Sequence, residues 1–254
     1  VRRLAPLCLL ALVGVPLSPL GAADFAEDRY DPEAAFAEEL ADLRAGLDNP
    51  EGRASALEWI DAELAEVQSE DARRALVQAR FEALTFDEPL PEGYRGSFIA
   101  SVAPAATLHD VTLGVPASVS IAQAIMESGW GRSAPGYNLF GIKGEGPAGS
   151  TVRKSVDYRG GKRSVRKTAF RAYLDAEGSM ADHARILATS PRYSAAREVA
   201  EDPSAYARAL QGTYASDPRY ARKLVEIIEL YGLDRFDWSV PEGLVVAEAL
   251  STDE

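Results

Sequence analysis

The chain has 254 residues, 46% of them hydrophobic and 8% aromatic, and a formal net charge of −12. That length suits one domain of ordinary size plus an extension. A single cysteine, Cys8, and two histidines, His109 and His183, exclude disulfides and cysteine–zinc sites after the first residues and give no support to a Ser-His-Asp triad or a histidine-rich metal centre. By elimination, chemistry falls to carboxylates and tyrosines, and no cofactor or metal is expected.

The start of the chain reads as a secretory signal. Arg2 and Arg3 are followed by an apolar run from Leu4 to Leu17, and Gly21-Ala22-Ala23 offers a small-residue cleavage site. Pro6, Gly14 and Pro16 interrupt the run, so residues 1–23 are expected to be removed rather than to span a membrane, with an uncleaved anchor as the alternative.

Residues 24–92 carry 20 acidic and 6 basic side chains, net −14. Asp31-Pro32 resembles an N-cap with proline at the first helical position, and Phe36, Leu40, Leu43 and Leu47 recur at helical spacing. Asp48 to Gly52 breaks this helix. Further helices are predicted from Ala54 to Gln68 and from Asp71 to Leu84, forming a small acidic extension whose leucines pack locally or on the main domain. Glu88 to Gly93 reads as a linker.

Residues 93–236 form the predicted main domain, with 14 acidic and 19 basic side chains. Helices are expected from Gly96 to Leu113 and from Ser118 to Ser128. A glycine-rich loop follows from Gly141 to Gly149. Thr151–Tyr158 and Arg163–Tyr173 alternate as strands around the turn Arg159-Gly160-Gly161-Lys162. The chain is then helical over Ala176–Thr189, Arg192–Ala200, Ser204–Gln211 and, capped by Asp217-Pro218, Arg219–Tyr231. Residues 237–254 are read as an acidic tail. The fold class is therefore α+β, mainly α, with a small β-hairpin.

The segment from Ser118 to Gly131 is the most informative. It is a short apolar helix ending in a carboxylate, Glu127, and stopped by Gly129 and Gly131. The negative end of the helix dipole disfavours an ionised carboxylate there, and Met126 and Trp130 would desolvate it further. A carboxyl group kept neutral near pH 7 is what a glycosidase needs as its general acid. Ser120, Gln123 and Glu127 share one helical face, which lines a cleft or faces water.

Three blocks extend this pattern: Ser118 to Gly131, then Tyr137-Asn138-Leu139-Phe140-Gly141-Ile142-Lys143, then Tyr214-Ala215-Ser216-Asp217-Pro218-Arg219-Tyr220-Ala221. Together they closely resemble the signature of glycoside hydrolase family 73, bacterial glucosaminidases that cut peptidoglycan. The resemblance covers about Ser97 to Leu233 and implies a lysozyme-like domain. It implies Glu127 as the acid and Asp157, just before Tyr158 on the hairpin, as the second carboxylate. The family has glutamate there, one methylene longer, which puts the reach of Asp157 in question and makes Glu145 the backup. Asp157 is the one acid among eight bases from Arg153 to Arg171, which favours its ionised form. Tyr214 matches the family's active-site tyrosine, and Asn138 and Phe140 the element shaping the cleft. Tyr158 and Trp130 complete the expected substrate contacts, although Trp130 is as easily a seal on the helix end and Asn138 a backbone clamp.

The resemblance implies an exported, monomeric enzyme of the cell envelope. Its substrate would be peptidoglycan glycan strands, an anionic polymer suited to a mildly basic domain, with no nucleic-acid partner and no stable membrane insertion after cleavage. Two mechanisms stay open, an inverting one with Asp157 activating water and a retaining one in which the substrate N-acetyl group attacks. Two rivals stay open as well: a lytic transglycosylase, and a non-catalytic wall-binding protein on the same fold. The acidic extension is expected to dock on the basic hairpin and restrain the cleft.

Overall fold

A computed structural model describes residues 32–159 and 162–239, with side chains over 34–154 and 166–239. The expected signal segment and most of the expected tail lie outside these residues. The described chain is mainly helical: α1 (Pro32–Ala45), α2 (Pro50–Glu66), α3 (Glu70–Asp87), α4 (Tyr94–Leu113), α5 (Ala117–Ser128), α6 (Ala176–Thr189), α7 (Ser194–Arg197), α8 (Pro203–Leu210) and α9 (Tyr220–Tyr231). One antiparallel hairpin interrupts the helices, β1 (Ser150–Arg159) paired with β2 (Lys162–Arg171), in a register that places Arg153 opposite Thr168 and Asp157 opposite Ser164. The mainly α class with a small hairpin is therefore the architecture observed.

Most boundaries fall within a few residues of the sequence reading, and the departures have local causes. Helix α2 starts at Pro50 rather than Ala54, because the Asn49 side chain accepts the Gly52 amide and proline fits the first helical position. The expected helix from Arg192 to Ala200 is a 3-10 turn, Pro191–Tyr193, followed by the single turn α7. Strand β2 ends at Arg171, two residues early, where the Tyr173 amide turns to the Gly136 carbonyl and joins the loop before the hairpin.

The core is built around α5. Every residue from Ala117 to Ile125 is buried, against α4, α8, α9 and the 3-10 turn Leu233–Phe236. Such a helix has no solvent at its N-terminus to satisfy its first amides. Two carboxylates do so from elsewhere in the fold: Asp110 accepts from Ala117 and from Trp238, and Asp237 accepts from Ser118. The helix dipole favours negative charge at that end. Burial opposes it and raises both carboxyls, Asp110 to about 7 and Asp237 to about 6.

Among the described residues, the acidic extension packs on α4 and the segment after α9 rather than on the hairpin. Leu40, Ile60, Leu64, Leu76 and Val77 pack with Leu108 of α4 and with Trp238. Phe81 stacks on Phe236 with ring centroids 5.8 Å apart. Arg80, 7% exposed, bonds Asp61 and the carbonyls of Arg235, Phe236 and Asp237. The physical reason is burial: apolar faces of α1–α3 find apolar partners on α4, whereas a hairpin of cations offers only screened surface attraction. Asp237 and Trp238, read as the start of the tail, are thereby part of this packed layer.

Candidate active site

The C-terminal end of α5 is shaped by three successive left-handed residues, Gly129, Trp130 and Gly131, with φ of 58°, 64° and 73°. Glycine adopts this region freely; tryptophan does so at a cost of roughly 1–2 kcal/mol. The indole is held by edge-to-face contacts with Tyr94, Phe98 and Tyr231, and the Arg95 guanidinium lies over its ring. A β-carbon at Gly131 would meet the Phe98 ring at 3.0 Å, so a side chain there is disfavoured by crowding as well as by φ. The buried Ser128 hydroxyl donates to the Ala124 carbonyl and accepts the Gly131 amide, closing the turn. Trp130 thus seals the helix end within an aromatic cluster.

Glu127 sits just before this turn, open to a cleft whose other lining residues include Ser133, Pro135, Asn138, Gly141, Arg153 and Phe170. The cavity is about 160 Å³, smaller than a pocket that encloses a small molecule and suited to one contact subsite on a polymer. Burial against the cleft walls raises the Glu127 pKa, and interaction with the Tyr220 hydroxyl partly offsets that rise. A larger cavity of about 300 Å³, between Tyr173, Leu174 and the start of α6, contains none of the expected site residues.

Behind the carboxyl group stands an aromatic column. Gln123, fully buried on α5, donates its amide to the Tyr220 hydroxyl at 2.8 Å. The Tyr220 ring stacks on Tyr214 (centroids 5.6 Å apart), whose ring meets His183 edge-on, and His183 lies flat against Phe140 at 3.7 Å. Burial raises the pKa of both tyrosines, and the Glu127 charge adds to it, so both hydroxyls keep their protons and act as donors. Burial pushes His183 down to about 3, leaving the imidazole neutral.

The expected residues divide among different tasks. Glu127 and Tyr214 are brought together. Asn138 borders the cleft, but its amide is committed to backbone: it donates to the Ile142 and Arg171 carbonyls and accepts the Ile142 amide, holding the loop in place. Phe140 is buried against His183 rather than facing the cleft. The backbone of Asp157 and Tyr158 is in β1, and their side chains lie outside the described residues. Glu145, the backup carboxylate, is exposed on the loop and is not among the residues lining the cavity with Glu127. Among the described residues, no three His, Cys, Asp or Glu side chains converge as metal ligands would, and no helix is long and apolar enough to cross a membrane.

A family model described as mannosyl-glycoprotein endo-beta-N-acetylglucosaminidase matches residues 103–233, more than half of the chain. The chain belongs to this glucosaminidase family, glycoside hydrolase family 73. The matched glucosaminidase segment contains Glu127, Asn138, Asp157 and Tyr214 and leaves α1–α3 outside. The probable N-acetylmuramidase of Lactococcus lactis subsp. lactis is 41% identical over 157 residues, covering 58% of this chain and 36% of that protein. The peptidoglycan hydrolase FlgJ of Escherichia coli K12 is 36% identical over 154 residues, covering 57% and 49%. The catalytic domain of the autolysin Auto from Listeria monocytogenes shares the fold at 32% identity and a TM-score of 0.54, over 67% of this chain and 99% of that domain. The chain spans about a third to a half of the length of these curated relatives.

Within the glucosaminidase domain, the sequence reading misses three contributors. Tyr220 is visible as the second tyrosine of the Tyr214–Ala221 block, but nothing local links it to Glu127. Gln123 shares the Glu127 face, with no partner apparent from spacing. Asp182 gives no signal at all, yet it accepts from Arg171 and from the Tyr173 hydroxyl, both at 2.6 Å, and so ties the base of the hairpin to α6.

Proposed function

We propose that this chain is an exported peptidoglycan hydrolase of wall remodelling that cleaves the β-1,4 bond after N-acetylglucosamine, with Glu127 as general acid. The observation that carries this reading is the Glu127 carboxyl, open to the cleft, raised in pKa by its surroundings and backed by Tyr220. Family membership and relatives named as peptidoglycan hydrolases and autolysins support the same substrate.

In this mechanism Glu127 protonates the glycosidic oxygen as the bond to the anomeric carbon breaks. The carboxylate left behind is met by the Tyr220 hydroxyl. Charge developing on the sugar is answered in one of two ways. Asp157 activates a water on the opposite face and inverts the centre, or the substrate N-acetyl oxygen attacks and the configuration is retained, with Tyr214 donating to the acetamido group. Asp157 lies four residues along β1 from Arg153, a rise of about 13 Å. The inverting route therefore requires the outer hairpin to lean over the cleft.

The test is digestion of purified sacculi by the chain and by Glu127→Gln, with fragments identified by mass spectrometry. Reducing N-acetylglucosamine ends, absent with the variant, are expected. Reducing N-acetylmuramic acid ends would make the chain a muramidase, the activity named for its Lactococcus relative. Anhydro-muramyl ends would identify a lytic transglycosylase. Sacculi bound but not cut would indicate a wall-binding protein. The anomer first released, followed by NMR, separates the two mechanisms.

A further inference from the structure

The cleft carries one feature that general acid catalysis does not use. Arg153 is the cationic side chain that lines the same cavity as Glu127, and it is exposed. It has no acidic partner among the described residues. The more enclosed arginines elsewhere are committed, Arg53 to Asp87, Arg80 to Asp61, Arg171 to Asp182 and Arg235 to Glu88, and Arg73 and Arg197 to backbone carbonyls. Nor does Arg153 tune the acid, since the raised pKa of Glu127 is set by its surroundings and by Tyr220. A guanidinium on the wall of a reaction cleft, without an acidic partner among the described residues, is a fork for a carboxylate, able to bind both oxygens at once.

We propose that Arg153 binds a carboxylate of the glycan substrate beside the scissile bond, making anionic strands better substrates than neutral ones. This rests on the glycosidase reading above. Two sources supply that chemistry in peptidoglycan: the peptide attached to the muramyl sugar, and the lactyl group itself once the peptide is removed. Arg153 lies in β1 opposite Thr168, three residues from the start of the strand. Because the side chain is exposed, salt will weaken the interaction.

The experiment compares the chain with Arg153→Gln and Arg153→Lys on three substrates at low ionic strength: peptide-bearing strands, strands stripped of peptide by an amidase, and strands whose carboxylates have been chemically amidated. The readout is the ratio of kcat/KM on each carboxylate-bearing substrate to that on the amidated one. Arg153→Gln is expected to lower this ratio about tenfold, the size of one hydrogen-bonded charge contact. Arg153→Lys is expected to fall between, keeping the charge and losing the fork. A drop confined to peptide-bearing strands assigns the contact to the peptide, a drop confined to stripped strands assigns it to the lactyl carboxylate, and a drop on both shows that Arg153 takes either carboxylate. An unaltered ratio overturns the proposal, even if overall activity falls. Failure of the unmodified chain to cut any of the three substrates would instead overturn the glycosidase reading, so the two failures are distinct. Melting temperature checks that the variants fold.

Discussion

The Tyr220 hydroxyl accepts the Gln123 amide at 2.8 Å, and the same hydroxyl favours the ionised form of Glu127. Gln123 therefore fixes the rotor of a hydroxyl that stabilises the ionised acid. Removing that hydroxyl in Tyr220→Phe should raise the Glu127 pKa further, so the alkaline limb of the kcat profile should move to higher pH. Gln123→Leu should move it in the same direction by less. A limb unmoved in both variants would show that Tyr220 only packs.

Glu127→Gln should lower kcat by roughly 10²–10⁴-fold, the usual contribution of a positioned general acid, with the melting temperature little altered. The sign of the pH dependence comes from the raised pKa. The acid must be protonated to act, so activity is present below its pKa and lost as pH rises through it. That loss should occur above the ordinary carboxylate range. A pH–rate profile on soluble glycan fragments checks it.

Tyr214→Phe keeps the contacts with Tyr220, His183 and Tyr193 and removes one donor. A loss of about 10–100-fold in kcat is expected if the hydroxyl bonds a group that gains charge during reaction, with stability nearly unchanged. Loss of stability without loss of kcat in the folded fraction would make it a core tyrosine.

Asp110 and Asp237 make stability depend on pH. Their carboxyls rise from 3.8 to about 7 and about 6 in the fold. Between about pH 4 and 7 the folded state therefore holds more protons than the unfolded chain, and this contribution weakens as pH rises. His183, pushed down to about 3, works the opposite way from about pH 3 to 6.5. The clean measurement is thus a difference. The melting temperature of Asp237→Asn relative to the parent chain should improve from pH 5 to pH 8, because only the parent then carries the buried charge. A difference constant with pH would contradict the raised pKa.

Trp130→Ala should cost about 3 kcal/mol through loss of its ring contacts, with strain from the left-handed backbone retained. Trp130→Gly loses the same contacts but accepts φ of 64° without strain. It should therefore melt no lower than Trp130→Ala, reversing the usual order of the two residues. Thermal unfolding of both variants tests this.

The sequence alone determined the local elements and the family. Apolar periodicity, proline and aspartate caps and the Gly-Gly turn located the helices and the hairpin, because these signals act within a few residues. The blocks around Glu127, Asn138 and Tyr214 identified the glucosaminidase family for the same reason: each is a short run whose residue types are all present. Tertiary structure decided what surrounds them. Tyr220 is 97 positions from Gln123, and Asp237 is 119 from the Ser118 amide it caps; no local pattern records such pairings. It also decided that Asn138 and Phe140 are committed to the loop and the core, and that α1–α3 seat on α4. A buried amide must find its acceptor and an apolar face its cover wherever the chain brings them, and those partners are set by packing, not by spacing.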